Sequence, residues 1–177
     1  MKITEVKELE KIANNIRMDI IEQVYNGKSG HPGGSLSCVE ILTVLYFNEL
    51  NINPNEPRAD KRDRFVLSKG HSSPALYATL AERGYFNKEK LKTFRGLDSI
   101  LQGHPDMNKV PGVDASTGSL GQGLSIANGM ALSAKLNGDN FRVYCLLGDG
   151  EIRRGSSLGS CNECISLQIR QSVCYCR

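Results

Sequence analysis

The chain has 177 residues, 40% hydrophobic and 23% charged, which fits one soluble globular domain and excludes a disordered or collagenous protein. A net charge of +3 is too small to argue for nucleic acid, and no apolar run approaches the about 20 residues that span a bilayer. The polar start Met1-Lys2-Ile3-Thr4-Glu5 does not read as a signal peptide, so the default compartment is the cytoplasm, with no membrane partner.

Residues 4–25 repeat apolar side chains (Val6, Leu9, Ile12, Ala13, Ile16, Ile20, Val24) at steps of three or four, which predicts a helix capped by Thr4 and ended by Gly27. Gly27 to Gly34 is too rich in glycine for regular structure and reads as a loop. Leu36 to Leu50 reads as a second apolar helix, with Ser35 or Ser37 as its cap. After a polar stretch, Phe65-Val66-Leu67-Ser68 reads as a buried strand running into Lys69-Gly70-His71. Short helices follow over 75–83 and 88–94, then a small-residue helix over 118–137 that opens on glycines. Val143-Tyr144-Cys145-Leu146-Leu147 is the clearest strand and runs into Gly148-Asp149-Gly150. Apolar strands alternating with helices predict an α/β domain with a parallel sheet, whose ligands bind beyond the carboxyl ends of the strands.

The chemistry-bearing residues cluster in those loops. His31, His71 and His104 each follow a glycine, which lets backbone approach a ligand while imidazole offers a donor, an acceptor or a proton. A single such histidine reads as incidental, but three point to a shared polar pocket. Asp149, between two glycines after a strand, suits a hard cation such as Mg²⁺ and equally suits a plain tight turn. The run Thr117-Gly118-Ser119-Leu120-Gly121-Gln122-Gly123 opens a helix where amides favour an anion, yet it matches neither the dinucleotide nor the P-loop pattern.

Taken in order, these segments resemble the N-terminal half of transketolase, a family of thiamine diphosphate enzymes, from about residue 10 to residue 152. The motifs that carry the likeness are Ser29-Gly30-His31-Pro32-Gly33-Gly34-Ser35, Leu67-Ser68-Lys69-Gly70-His71-Ser72-Ser73-Pro74-Ala75, Gly103-His104-Pro105, the Thr117–Gly123 run and Gly148-Asp149-Gly150-Glu151. The Ser68–His71 and His31–Gly34 segments favour transketolase over the sister family that makes deoxyxylulose phosphate. The absence of later domains is similar to the split form, in which two chains share the enzyme.

The resemblance implies a parallel-sheet thiamine diphosphate-binding fold, incomplete at its C-terminus. It implies transfer of a two-carbon ketol unit from a ketose phosphate to an aldose phosphate, with the cofactor as electron sink. By resemblance, His31 and His104 face the sugar, and His71 lies near both sugar and cofactor diphosphate. Gly118, Leu120 and Gly121 line thiamine diphosphate, Gly150 passes its backbone close to the diphosphate, and Asp149 ligates Mg²⁺ or Ca²⁺. The family's second metal ligand, an Asn further along, falls past residue 177. The implied partners are a homo-oligomer and a C-terminal transketolase subunit, because a glutamate from another domain completes the thiamine site across a two-fold interface. The chain by itself is therefore expected to bind the cofactor weakly and to transfer nothing.

Residues 153–177 break the pattern. They hold four arginines (Arg153, Arg154, Arg170, Arg177) against Glu163, and four of the six cysteines, Cys161, Cys164, Cys174 and Cys176. The domain thus reads as 1–152, followed by an aberrant tail without helical pattern that leaves a sheet edge bare and aggregation-prone. A four-thiolate zinc site or interaction module is one reading of the cysteines. The other is a shifted frame. One choice of synonymous codons for Arg154 to Arg177, read one base later, gives E-G-Q-V-W-E-A-A-M-S-A-S-H-Y-K-L-D-N-L-C-V-I-V. That string resembles the transketolase helix and strand expected here, including a Glu where Arg154 stands.

Overall fold

The computed structural model describes residues 2–168, and the backbone of residues 172–176. The apolar repeat at the start forms α1 (Val6–Asn26), which buries Ala13, Ile16 and Ile20. Its cap differs from expectation: Glu5 rather than Thr4 precedes the helix, and no side chain caps it.

The expected glycine loop holds a short helix, α2 (Pro32–Leu36), and the expected helix over 36–50 is broken at Ser37-Cys38. Proline at the first helical position pre-sets φ, so two glycines can follow it into a turn of helix. The break has a side-chain cause. Ser37 Oγ and Cys38 Sγ bond back to the carbonyls of Gly34 and Ser35, at 3.1 and 3.2 Å, and compete with helix continuation. Neither serine caps the next helix. Cys38 precedes α3 (Val39–Val44), which ends in a wider π turn over Leu45–Glu49.

Strand β1 (Arg64–Leu67) leads through a 3₁₀ turn at Gly70–Ser72 into α4 (Ser73–Arg83). A second 3₁₀ turn covers Lys88–Thr93. Helix α5 (Gly123–Asn137) begins five residues later than expected, because Gly118 to Gln122 is loop. It feeds β2 (Val143–Leu147), then α6 (Gly155–Ser166) and β3 (Ser172–Cys176).

All three strands are parallel in the order β1-β2-β3, with Val66 opposite Cys145 and Cys145 opposite Cys174. Alternate residues divide the sheet into two faces. Phe65, Leu67, Tyr144 and Leu146 join the core formed with α1, α3 and α4, whereas Val66, Val143, Cys145 and Leu147 pack on Leu124, Ala127 and Ala131 of α5.

The tail corrects two expectations. It forms a helix, and β3 pairs with the edge of β2 that was expected to lie bare. The helix is hard to see in the sequence because its buried face is made of Ser157 and Ser160, with Cys164 half-buried one turn on. The spacing is helical, but small polar residues give a hydropathy pattern nothing to register. No helix among the described residues is long and apolar enough to cross a membrane.

Candidate functional site

At the carboxyl end of β1 the chain passes through Ser68, Lys69 and Gly70, all buried. A side chain at Gly70 would lie 2.6 Å from the Thr117 carbonyl, and one at Gly123 would collide with Ser68. Glycine therefore lets the 117–123 loop lie directly on the end of β1, where Thr117 Oγ1 donates to the Leu67 carbonyl at 2.7 Å.

This contact sets out the three histidines. His71, half-buried in the 3₁₀ turn, meets the ring of His31 edge-on at 5.1 Å between centroids. Gly34 makes room for it: a Cβ there would sit 3.0 Å from Ser72 Oγ and 3.4 Å from His71 Nε2. His104 is held through its neighbours, since Ser73 Oγ donates to the Gly103 carbonyl and the Tyr77 hydroxyl lies 3.1 Å from that of His104. Its ring rests on Gly118, where an added Cβ would be 3.4 Å away. Burial, then the nearby His31, Lys69 and His104, push the His71 pKa below its usual value, which favours a neutral ring.

At the end of β2, Gly148 to Glu151 turns so that the Glu151 amide donates to the Gly148 carbonyl at 3.1 Å. Asp149 and Gly150 are exposed at the mouth of a cleft of about 390 Å³, which Gly34, Lys69, His71 and Leu120 also line. Lys69 is only 3% exposed, with Nζ donating to the Gly34 carbonyl at 3.1 Å and to Ser37 Oγ at 3.3 Å. Glu151 is 2% exposed. The sequence alone points to a role for neither residue. A charged residue in a glycine-rich loop gives no sign that distant loops will bury it.

The structure thus brings His71, Leu120, Asp149 and Gly150 to one cleft, sets His31 against His71, and stacks His104 on Gly118. Gly121, left-handed at φ +92, lies behind Leu120 and donates its amide to Glu151. The donor set suits a diphosphate with a divalent cation: an exposed carboxylate for the hard ion, and an ammonium with bare glycine backbone for the anion. Gly150 meets nothing within 4 Å of where a Cβ would stand, so the main chain there is open to close approach. The described residues contain no cluster of three or more metal-ligating side chains, and the side chains of Cys174 and Cys176 lie outside them.

Comparison with known proteins gives consistent matches. The family "Transketolase, thiamine diphosphate binding domain" matches residues 8–175. An apulose-4-phosphate transketolase subunit of Phocaeicola vulgatus is 45% identical over 152 residues, covering 86% of this chain and 54% of the relative. A 6-deoxy-6-sulfo-D-fructose transketolase subunit of a Clostridium species is 46% identical over 148 residues, covering 84% of this chain and 54% of that relative. The chain thus spans about half the length of these relatives. The crystal structure of Campylobacter jejuni transketolase superposes with a TM-score of 0.92 at 34% identity, covering 98% of this chain and 28% of that one.

Proposed function

The chain belongs to the transketolase family, by its thiamine diphosphate-binding domain, and on that premise we propose that it is the N-terminal component of a two-subunit transketolase. The observation that carries this reading is the meeting of Lys69, His71 and Asp149 in one glycine-walled cleft, with the His31 ring against His71 and His104 on Gly118. The reaction is transfer of a two-carbon ketol unit between sugar phosphates. Thiamine diphosphate, when bound, supplies the electron sink for cleaving the bond beside the ketose carbonyl. Asp149 ligates Mg²⁺ or Ca²⁺, while Lys69, the Gly150 backbone and His71 receive the diphosphate. Leu120, with Gly118 and Gly121, forms the wall against the cofactor. His31 and His104 hold sugar hydroxyls, and a neutral His71 donates or accepts a hydrogen bond without adding charge.

Relatives named as subunits of transketolases support a C-terminal partner subunit. The family resemblance adds a homo-oligomer as the expected assembly. The related proteins act, by their names, on apulose 4-phosphate and on 6-deoxy-6-sulfo-D-fructose, so the family tolerates different ketoses. We expect the chain alone to bind thiamine diphosphate weakly in the presence of Mg²⁺ and to transfer no ketol group. Calorimetric titration of the chain and of Asp149→Asn checks this. Binding that the substitution leaves unchanged would overturn the assignment of the cleft.

We also infer that residues from about Arg153 onward are written one base out of frame. Two observations support it. Position 157 is buried among α6 residues, and the shifted string has valine there and alanine at 160 and 164. The backbone of Ser172–Cys176 pairs in parallel with β2 at one end of the β1-β2-β3 order, in a sheet type whose strands read as apolar runs, and the shifted string there is L-C-V-I-V. Resequencing the gene decides between this and a zinc-binding tail: codons that cannot yield the string when shifted leave the cysteines as a metal site.

A further inference from the structure

We propose that Glu151 is a positioning residue that locks three loops of the cleft into one unit. The proposal deepens the reading of the cleft as a cofactor site and rests on that reading for its consequence. The Glu151 side chain touches each loop once. Oε1 accepts from Ser68 Oγ, at the end of β1, and from the Gly121 amide at 2.6 Å. Oε2 accepts from the Gly148 amide, at the end of β2, at 3.0 Å.

Two of these contacts, to Ser68 and Gly121, reach loops remote in sequence, and the third closes Glu151's own turn onto Gly148. Ser68 begins the segment carrying Lys69 and His71, Gly121 follows Leu120, and Gly148 precedes Asp149. A carboxylate that is 2% exposed cannot exchange these donors for water, so its hydrogen bonds fix the loops against one another. Gly121 needs such a fixing partner: its φ of +92 is a conformation it enters freely and leaves as freely. The residue's own main chain is held separately, by Ser157 Oγ on its carbonyl at 3.0 Å. Glu151 therefore borders the cleft and acts on it by holding the loops that line it beside itself.

The two oxygens carry different loads, which makes the proposal testable. Glu151→Gln keeps one oxygen for Ser68 and Gly121, but turns an amide donor on the Gly148 N–H. Glu151→Ala removes all three acceptors. Ser157→Ala loosens only the main-chain carbonyl. Amide hydrogen exchange of the full chain should therefore rise about tenfold at both Gly121 and Gly148 in Glu151→Ala, the change expected from one hydrogen bond to a charged group. It should rise at Gly148 alone in Glu151→Gln, and at neither in Ser157→Ala. A fall of about tenfold in thiamine diphosphate affinity with Mg²⁺ should accompany Glu151→Ala and spare Ser157→Ala. Should Glu151→Ala fail to fold, the Gly148-selective response of Glu151→Gln carries the test. Unchanged exchange at Gly121 and Gly148 would overturn the latch. Failure of the unmodified chain to bind thiamine diphosphate would instead count against the cofactor reading, with the exchange pattern still deciding the latch.

Discussion

The two ends of the β1–β2 pair use buried carboxylates differently. At the amino end, Asp114 pairs with the Arg62 guanidinium and also accepts the Phe65 amide at 2.8 Å. Asp63 beside it accepts the amides of Asn51 and Arg142 at 2.8 and 2.7 Å. Arg64 donates to the carbonyls of Ala59 and Asp60 and lies over the Phe141 ring. At the carboxyl end, Glu151 accepts from a hydroxyl and two amides, whereas exposed Asp149 has no protein donor among the described residues. The amino end pairs its carboxylates with the Arg62 guanidinium and strand amides, leaving only Arg62 Nε without a partner in this network among the described residues, and so fixes the strands. The carboxyl end sets Asp149 and His71 on an open cleft, with the Lys69 ammonium in its wall bonded to the Gly34 carbonyl and Ser37 Oγ. What separates the ends is pairing: the amino-end carboxylates hold protein partners, whereas Asp149 faces its cleft with no protein donor among the described residues.

The largest expected effect would break this contrast if it failed. Asp114→Ala strands a guanidinium that is 11% exposed and leaves the Phe65 amide without its acceptor. Removing one partner of such a pair costs about 3–5 kcal/mol. Asp149→Ala, at an exposed turn, should stay within about 0.5 kcal/mol. Urea unfolding of both variants measures the difference. An Asp149→Ala cost equal to that of Asp114→Ala would mean that both ends are structural.

Glycines sharpen the same contrast at a smaller scale. Gly123 sits where an added Cβ would lie 2.6 Å from Ser68 Cα, so Gly123→Ala must push the 117–123 loop off β1, at about 1–3 kcal/mol. Gly138, past the end of α5, adopts φ +72 with nothing within 4 Å, and alanine there costs only the left-handed strain, roughly 1–2 kcal/mol. Thermal unfolding compares their stabilities. Amide exchange at Gly121 separates them further: Gly123→Ala should raise it, and Gly138→Ala should leave it alone.

How far these features could be read beforehand depended on their range. α1, β1 and β2 were legible because apolar periodicity is local and long enough to dominate. The break at Ser37-Cys38 was not, since it depends on which of two competing partners each side chain chooses. α2 was hidden because two adjacent glycines disfavour helix, and what offsets them, Pro32 at the helix start and the fit of Gly34 under the Ser72–His71 turn, is partly tertiary. In the cleft, Gly-His and Gly-Asp-Gly advertised themselves through residue types that suit few other tasks. Lys69 and Glu151 did not, because their burial is fixed by Gly34, Ser37, Gly121 and Gly148, which lie far off in sequence or contribute only backbone.

The smallest expected effect is a proton. Burial is the main cause that lowers the His71 pKa, followed by the charges of His31, Lys69 and His104, with Glu151 opposing them. The unfolded chain thus takes up this proton at about 6.5, the ordinary value, before the folded chain does. Where only the unfolded state binds a proton, stability rises with pH, so this contribution is fully present above the unfolded value. It is lost as pH falls through 6.5 toward the lowered folded value. NMR titration of the imidazole protons should therefore find His71 below 6.5, and His31→Ala should move it upward by removing a cationic neighbour. The return should be incomplete, because Lys69, His104 and the burial supplied by groups other than His31 remain. A His71 that titrates at 6.5 or above would place the carboxyl end in open water, and the contrast between the two ends would shrink to the arginines alone.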